Sequence, residues 1–198
     1  TTYLGFGIGA INTLFLFTYF LEKEYYGLVS YLLSAANLIW PLMAFGVHNT
    51  LVKFYSSYKT KPDRDKLLNL VLFLPVLVSL ILGTIGYFGY SYLLDYFESG
   101  NDLVQPYIWL IYVIALATAY FEVFFAWSKV NYKSVFGNFM KEVFHRLCIT
   151  LLLLAVYFEL ITVETFIYAM AGVFVLRMII MKIYAFTLYM PKWKFELL

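Results

Sequence analysis

The 198-residue chain has few charged residues and a single cysteine. Asp, Glu, Lys and Arg make up 13% of its residues, which is about half of the share usual in soluble domains. Because 63% of the residues are hydrophobic and the mean hydropathy is +0.80, too little polar surface is left to cover a soluble particle. The lone Cys148 excludes an internal disulfide framework. This composition predicts a polytopic membrane protein.

The patterns of the common soluble function classes are also missing. A net charge of +2 without a basic arm argues against a nucleic-acid partner. Two histidines and one cysteine cannot supply a closed zinc site without carboxylates, and no G-x-S-x-G occurs. Residues 5–10, GFGIGA, match a dinucleotide-binding pattern but lie in an apolar segment instead of a βαβ unit. We therefore predict no enzyme activity, no cofactor and no metal site.

Six segments of the chain are long and apolar enough to cross a membrane as helices. Their apolar residues run continuously, without the ten-residue alternation of a β-barrel. The first segment has no basic n-region and no small-residue cleavage site, so we interpret it as a retained span. The chain is thus predicted to be all-α, with one six-span membrane domain over residues 1–198. The predicted spans are about 3–21, 27–52, 67–93, 106–128, 135–157 and 165–188.

Basic residues are distributed unequally between the two sides of these spans. Thirteen of the 14 basic residues fall on one side or in the membrane half nearest to it, and Lys23 is the exception. By the positive-inside rule the basic side is cytoplasmic, so both termini are predicted to lie inside. An even number of spans requires the same arrangement. The thirteen are Lys53, Lys59, Lys61, Arg64, Lys66, Lys129, Lys133, Lys141, Arg146, Arg177, Lys182, Lys192 and Lys194.

Ionisable residues inside the spans are the candidates for function, because a charge in hydrocarbon is costly unless it is paired or faces a cavity. They come from the second, fourth, fifth and sixth spans and lie in the cytoplasmic half of the membrane. A cluster at one depth predicts a polar cavity open toward the cytoplasm. The candidate substrate contacts are Arg146, Arg177, Lys141, His145 and His48, and the candidate ion carrier or charge partner is Glu122.

Several of these residues also have ordinary structural explanations. Lys141 can extend its side chain to the headgroups, and Glu142 with Arg146 can form an i,i+4 pair. A cavity-facing role is favoured for Glu122, whose side chain is short, and for Arg177, which lies deepest. We expect Glu122 to pair with Arg146 or Arg177.

Residues 20–58, FLEKEYYGLVSYLLSAANLIWPLMAFGVHNTLVKFYSSY, carry a family resemblance. The matching features are E-Y-Y-G at 24–27, a second span containing small residues, F-G-V at 45–47 and a basic loop after F-Y. This stretch resembles the opening of the polysaccharide-biosynthesis flippases, which belong to the multidrug/oligosaccharidyl-lipid/polysaccharide exporter superfamily. Members of this family have two six-helix lobes around a central cavity.

The resemblance implies that the chain is the N-terminal lobe of a transporter in the bacterial inner membrane. The implied function is to move a polyprenyl-diphosphate-linked oligosaccharide from the cytoplasmic to the outer leaflet by alternating access. The implied partners are membrane lipid, the lipid-linked oligosaccharide, and a second six-helix lobe or a partner membrane subunit. No site residue is implied, since the family has no strongly shared catalytic motif.

Two other functions stay open on the sequence. A non-transporting membrane subunit would dock a partner through seams of small residues, such as Gly5 with Gly9 in the first span and Gly83 in the third. A membrane-embedded transferase acting on polyprenyl lipids would need paired carboxylates or histidines at the cytoplasmic face. Asp63 and Asp65 are the candidates for that pair.

Overall fold

The chain folds into helices joined by short connections. A computed structural model describes the backbone of residues 2–97 and 103–192, and the side chains of residues 3–89 and 103–192. No strand occurs in these residues, so the predicted all-α class is confirmed. Lys194, counted above among the basic residues, lies outside the described residues. The α-helices are α1 Thr2–Ile11, α2 Phe17–Phe20, α3 Lys23–Ala44, α4 Val47–Phe54, α5 Lys61–Phe97, α6 Ile108–Val130, α7 Ser134–Phe139, α8 His145–Tyr157 and α9 Val163–Leu188.

Two π-helical segments join neighbouring helices into continuous rods. We number each rod after the predicted span to which it corresponds. Asn12–Leu16 links α1 to α2, and the resulting unit, residues 2–20, is rod 1. Met140–Phe144 links α7 to α8, and this unit, residues 134–157, is rod 5. A π-turn holds one residue more than an α-turn, so it changes which side chains share a face.

Five helical segments are long and apolar enough to cross a membrane: Tyr3–Phe20, Lys23–Ala44, Lys61–Gly89, Gln105–Val130 and Val163–Leu188. They correspond to the first, second, third, fourth and sixth predicted spans. The predicted fifth span is helical as rod 5. It is long enough to cross a membrane, but Lys141, Glu142 and Arg146 make it more polar than the five segments above. Whether rod 5 crosses a membrane therefore depends on how these charges are neutralised.

The second predicted span, residues 27–52, is interrupted and is not one continuous helix. Phe45 and Gly46 both adopt left-handed backbone, with φ of 47° and 68°. Glycine takes this conformation at little cost, whereas a bulky residue rarely does. The 22 residues of α3 already extend about 33 Å at 1.5 Å per residue, enough to cross the hydrocarbon. The break starts α4 in a new direction, where Val47 and Leu51 are buried.

Helix α6 is the centre of the bundle. It packs against α3, α4 and α9, and most of its side chains are buried. Ala115 and Ala119 have no exposed surface and let neighbouring helices approach, whereas Phe121 and Trp127 fill the other half of the core. Glu122 thus projects from the most enclosed helix of the protein.

Hydrogen bonds fix the start of α5, where the basic loop after α4 ends. Thr60 caps α5, since its hydroxyl accepts a 3.3 Å hydrogen bond from the Asp63 N–H and donates to the Asp63 carboxylate. Asp65 accepts a 2.7 Å hydrogen bond from the Tyr189 hydroxyl, just beyond α9. Burial and this hydrogen bond raise the pKa of Tyr189 to about 12, so the hydroxyl remains a donor. Asp63 and Asp65 thus each have a structural partner in this region.

Rod 1 lies against rod 5 through its glycines. A Cβ at Gly5 would overlap the backbone of Glu142, and a Cβ at Gly9 would lie 2.9 Å from the Arg146 guanidinium. Gly5 and Gly9, four residues apart, thus allow rods 1 and 5 to approach closely. The seam is filled by a helix of the same chain.

We expect Gly5→Ala to destabilise the bundle and Gly7→Ala to leave it intact. The methyl group at residue 5 meets backbone, so rods 1 and 5 must separate, at a cost of roughly 1–3 kcal/mol. A Cβ at Gly7 meets nothing within 4 Å, and alanine there favours the helix. The free energy of unfolding of both purified variants, from SDS titration followed by circular dichroism, measures the difference. Equal values would show that rods 1 and 5 do not pack in this way.

Candidate functional site

A polar cavity of about 360 Å³ lies among α3, α6, rod 5 and α9. Its volume falls within the range of small-molecule sites. The four elements correspond to the second, fourth, fifth and sixth predicted spans, so the fold brings together residues that were predicted to share one depth. The polar and aromatic side chains lining the cavity are Asn37, Trp40, Thr118, Glu122, Lys141, Glu142, His145, Arg146, Phe174 and Arg177.

Five of the six predicted site residues line this cavity, and His48 does not. His48 lies on α4, where it is half-buried. Its ring centroid is 5.6 Å from that of Trp40, which does line the cavity. The prediction treated the second span as one helix. Because that helix is interrupted at Phe45 and Gly46, His48 packs against Trp40 and does not line the cavity.

Glu122 forms a close ion pair with Lys141. The distance from Glu122 Oε1 to Lys141 Nζ is 2.6 Å. Glu122 is 8% exposed, so Lys141 directs its ammonium into the bundle and not toward the headgroups. The expectation that Arg146 or Arg177 would be the partner is wrong. Lys141 lies in the π-helical segment of rod 5, where a regular 3.6-residue period does not predict which face meets α6.

Arg146 holds rod 1 against rod 5. Its guanidinium donates to the Gly5 carbonyl and lies 4.0 Å from the Glu142 carboxylate, the predicted i,i+4 pair. Asn12 Nδ2 donates to the Arg146 carbonyl at 3.0 Å, and the Thr150 hydroxyl donates to Asn12 Oδ1 at 2.8 Å. We call this set of contacts the clasp. Arg146 lines the cavity, but its charge is engaged by the clasp.

Arg177 is the cavity cation without a carboxylate partner. It is 5% exposed, and among the described residues its Nε has no hydrogen-bond partner. It takes part in neither of the two ion pairs found in this part of the chain. The guanidinium carbon lies 4.2 Å from the ring centroid of Phe121 and 5.0 Å from that of Phe174. These aromatic faces offset part of the cost of burying the charge while leaving its in-plane N–H groups available.

The charges lining the cavity do not cancel. Lys141, Arg146 and Arg177 face two carboxylates, so one positive charge is in excess when His145 is neutral. Arg177 is the one of these five charged residues that lies outside both ion pairs, although the charges of Glu122 and Glu142 also act on it across the cavity. A buried guanidinium with free donors suits a phosphate or carboxylate group. Within residues 3–89 and 103–192, no three His, Cys, Asp or Glu side chains are grouped to hold a metal ion.

Uncharged polar residues of the site were missed by the sequence-based prediction. Asn37 and Thr118 line the cavity, and Asn12 and Thr150 form part of the clasp. A polar amide within an apolar span is the signal that identifies Asn12 and Asn37, since such groups hydrogen-bond across helices in membranes. A search restricted to charged residues passes over them.

The chain matches no protein-family model, no curated protein and no solved structure. The resemblance of residues 20–58 to polysaccharide flippases thus stays a hypothesis from sequence. The cavity and its charges are features of this chain's own residues.

Proposed function

We propose that the chain is a six-span lobe of a transporter that moves a polyprenyl-diphosphate-linked oligosaccharide across the bacterial inner membrane. The observation that supports this most is Arg177, a buried guanidinium that lines the cavity and takes part in neither of its two ion pairs. A diphosphate supplies several anionic oxygens that accept from a guanidinium in pairs. The sequence of residues 20–58 supports the same substrate class.

Rod 5 is the fifth span in this proposal and brings the number of spans to six. Its 24 residues, 134–157, extend about 36 Å as a helix. Its charges have partners inside the bundle: Lys141 has Glu122, and Arg146 has Glu142 and the Gly5 carbonyl. Paired charges that face a bundle interior are tolerated at membrane depth. Six spans with the basic loops inside place both termini in the cytoplasm.

The cavity acts as the headgroup site of one transport cycle. The diphosphate binds Arg177 from the cytoplasmic leaflet, and the attached sugars lie against Trp40, Asn37 and Thr118. The Glu122–Lys141 pair stays neutral as a unit, and Arg177 supplies one of the positive charges that the multiply charged diphosphate requires. Rocking against a second six-helix lobe then exposes the headgroup to the outer leaflet.

Binding of a lipid diphosphate tests this function. The purified chain in nanodiscs of neutral lipid is titrated with a polyprenyl diphosphate and with the polyprenol of the same chain length, and native mass spectrometry measures both affinities. We expect the diphosphate to bind at least about tenfold more tightly, because the uncharged alcohol offers no partner to Arg177. Equal affinities for the two lipids would contradict the proposal.

The alternative of a partner-docking subunit is less well supported. It rests on seams of small residues, and contacts within the chain occupy these seams at Gly5, Gly9 and Gly83, whereas a Cβ at Gly86 of the third-span seam would meet nothing within 4 Å. Gly5 and Gly9 face rod 5, and a Cβ at Gly83 would lie 3.1 Å from the Tyr112 ring. The Tyr112 hydroxyl also donates to the Ser79 carbonyl of the same seam, at 2.9 Å. At these positions the docking surface is already covered.

A further inference from the structure

Helix α4 has a buried face and an outer face on which lysine and apolar side chains are mixed. Leu51 packs into the core, whereas the outer face presents Lys53 together with Val52 and Phe54, which are 49% and 44% exposed. We call the exposed side chains of residues 49–66 the rim. A lysine is costly in hydrocarbon and a large apolar side chain is costly in water. The headgroup layer of a membrane suits both.

The two helices that flank the rim hold it at the level of the headgroups. The 22 residues of α3 extend about 33 Å, and the hydrocarbon core is about 30 Å thick. A chain that crosses the membrane as α3 therefore reaches the headgroups where α4 begins. The left-handed residues Phe45 and Gly46 turn the chain at this point. Only residues 55–60 separate α4 from α5, which leads back into the membrane.

The rim is positively charged, and the described part of the chain does not neutralise it. Residues 53–66 contain five basic residues and two aspartates, which leaves a net charge of +3. The two aspartates are engaged elsewhere, since Asp63 accepts from Thr60 and the buried Asp65 accepts from Tyr189. Neither of the two ion pairs among the described residues includes a rim lysine. The rim lysines, all exposed, are Lys53, Lys59, Lys61 and Lys66.

The turn between α6 and rod 5 shows the same combination at the same end of the bundle. Tyr132 is 96% exposed and adopts left-handed backbone, with φ of 58°. Its neighbours Lys129 and Lys133 are also exposed. The end of α6 lies beside α4, because Trp127 and Leu51 belong to one hydrophobic cluster. Two separate connections thus present lysines beside exposed aromatic rings at one membrane surface.

We propose that the rim binds the anionic phospholipids of the membrane leaflet that it faces. The lysine ammonium groups attract the phosphate headgroups, and Val52 and Phe54 enter the adjoining acyl boundary. The predicted orientation makes this the cytoplasmic leaflet. Orientation alone requires only that the loops be basic, whereas the exposed apolar side chains among the lysines add a direct lipid contact. The inference needs a membrane location but not the proposed substrate, because Arg177 and its cavity take no part in it.

Replacing Lys53 with glutamine tests this contact. Lys23 provides the matched control, since it is also exposed and lies at the opposite end of the same predicted membrane crossing. Wild type and both variants are placed in nanodiscs with equal amounts of phosphatidylglycerol and phosphatidylcholine. Native mass spectrometry then measures the ratio of the two lipids that stay bound. We expect phosphatidylglycerol to predominate on wild type and Lys53→Gln to lower the ratio about threefold to fivefold. Lys23→Gln should leave the ratio unchanged.

A wild-type ratio close to one would overturn the inference. Equal decreases in Lys53→Gln and Lys23→Gln would also overturn it, because they would assign the preference to the net charge of the chain. Neither result bears on the proposed function, since polyprenyl diphosphate binding is measured in neutral lipid. A chain that does not bind the polyprenyl diphosphate but keeps its preference for phosphatidylglycerol would leave the rim assignment in place.

The depth of α4 in the membrane gives a second measurement. A nitroxide is attached at Phe54→Cys in the Cys148→Ala background, which holds no other cysteine. Leu38→Cys in the same background is the reference, because Leu38 is 77% exposed within α3. We expect the label at residue 54 to be less accessible to oxygen and more accessible to a nickel chelate than the label at residue 38. Full accessibility to the nickel chelate would show that the rim projects into water, where an acidic soluble protein and not lipid would be its partner.

Discussion

Replacing Arg177 with glutamine is expected to lower the affinity for a polyprenyl diphosphate about tenfold to hundredfold. Hydrogen bonds to a charged group contribute about 1.5–3 kcal/mol each, and Arg177 is the cavity cation that takes part in neither ion pair. Glutamine keeps a donor and much of the volume but removes the charge. The titration that compares lipid diphosphate with polyprenol measures the loss, and polyprenol affinity should not change.

Lys182→Gln is the matched control for this substitution. Lys182 lies on the same helix, α9, and also carries one positive charge, but it is exposed and lies 5.8 Å from the Phe186 ring. Its removal should change affinity less than about threefold, because exposed charges are screened by salt. Equal losses in both variants would mean that only the overall charge attracts the lipid. An unchanged affinity in Arg177→Gln would remove the headgroup site from this cavity.

Reversing the charge of Glu122 is expected to destabilise the protein by about 3 kcal/mol, and reversing that of Lys141, whose side chain is 40% exposed, should cost less. Reversing both charges should restore most of the loss. Breaking a buried pair leaves an uncompensated charge in a low-dielectric site. Glu122→Lys is expected to be the more severe change, since Glu122 is the more buried partner. The free energies of unfolding of the two single variants and the double variant, combined in a double-mutant cycle, isolate the coupling.

The second ion pair of rod 5 provides the comparison for this cycle. Glu142 and Arg146 lie 4.0 Å apart, with side chains 26% and 29% exposed. Glu142→Gln should therefore cost less than about 1 kcal/mol. A double reversal of Glu122 and Lys141 that is no more stable than the worse single variant would contradict the pairing seen in the structure.

The spans could be predicted from sequence because crossing a membrane is a local requirement. About 20 consecutive apolar residues satisfy it regardless of their neighbours, and five of the six predicted spans meet it in the structure. The segment that does not, rod 5, is the one whose Lys141 and Arg146 contact groups on other helices. The depth of Glu122, Lys141 and Arg177 in the membrane could also be predicted, because it depends only on the position of each residue along its own span. These three residues do line one cavity.

Three local irregularities limited what the helical period could predict. The left-handed residues Phe45 and Gly46 separate α4 from α3, which removes His48 from the cavity lining. The π-helical segments Asn12–Leu16 and Met140–Phe144 each change the phase of the side chains that follow. Only the glycine at residue 46 is a sequence signal for any of these, because glycine favours positive φ.

By itself the sequence determined that the chain is helical, which segments are apolar enough to span a membrane, and which ionisable residues share one depth. Only the tertiary structure decided which charges pair. It joined Glu122 to Lys141, engaged Arg146 in the clasp and left Arg177 outside both ion pairs. The physical reason is that apolarity acts along a single helix, whereas pairing depends on distances between helices far apart in the chain. Asn12 and Thr150, 138 residues apart in sequence, form a hydrogen bond of 2.8 Å.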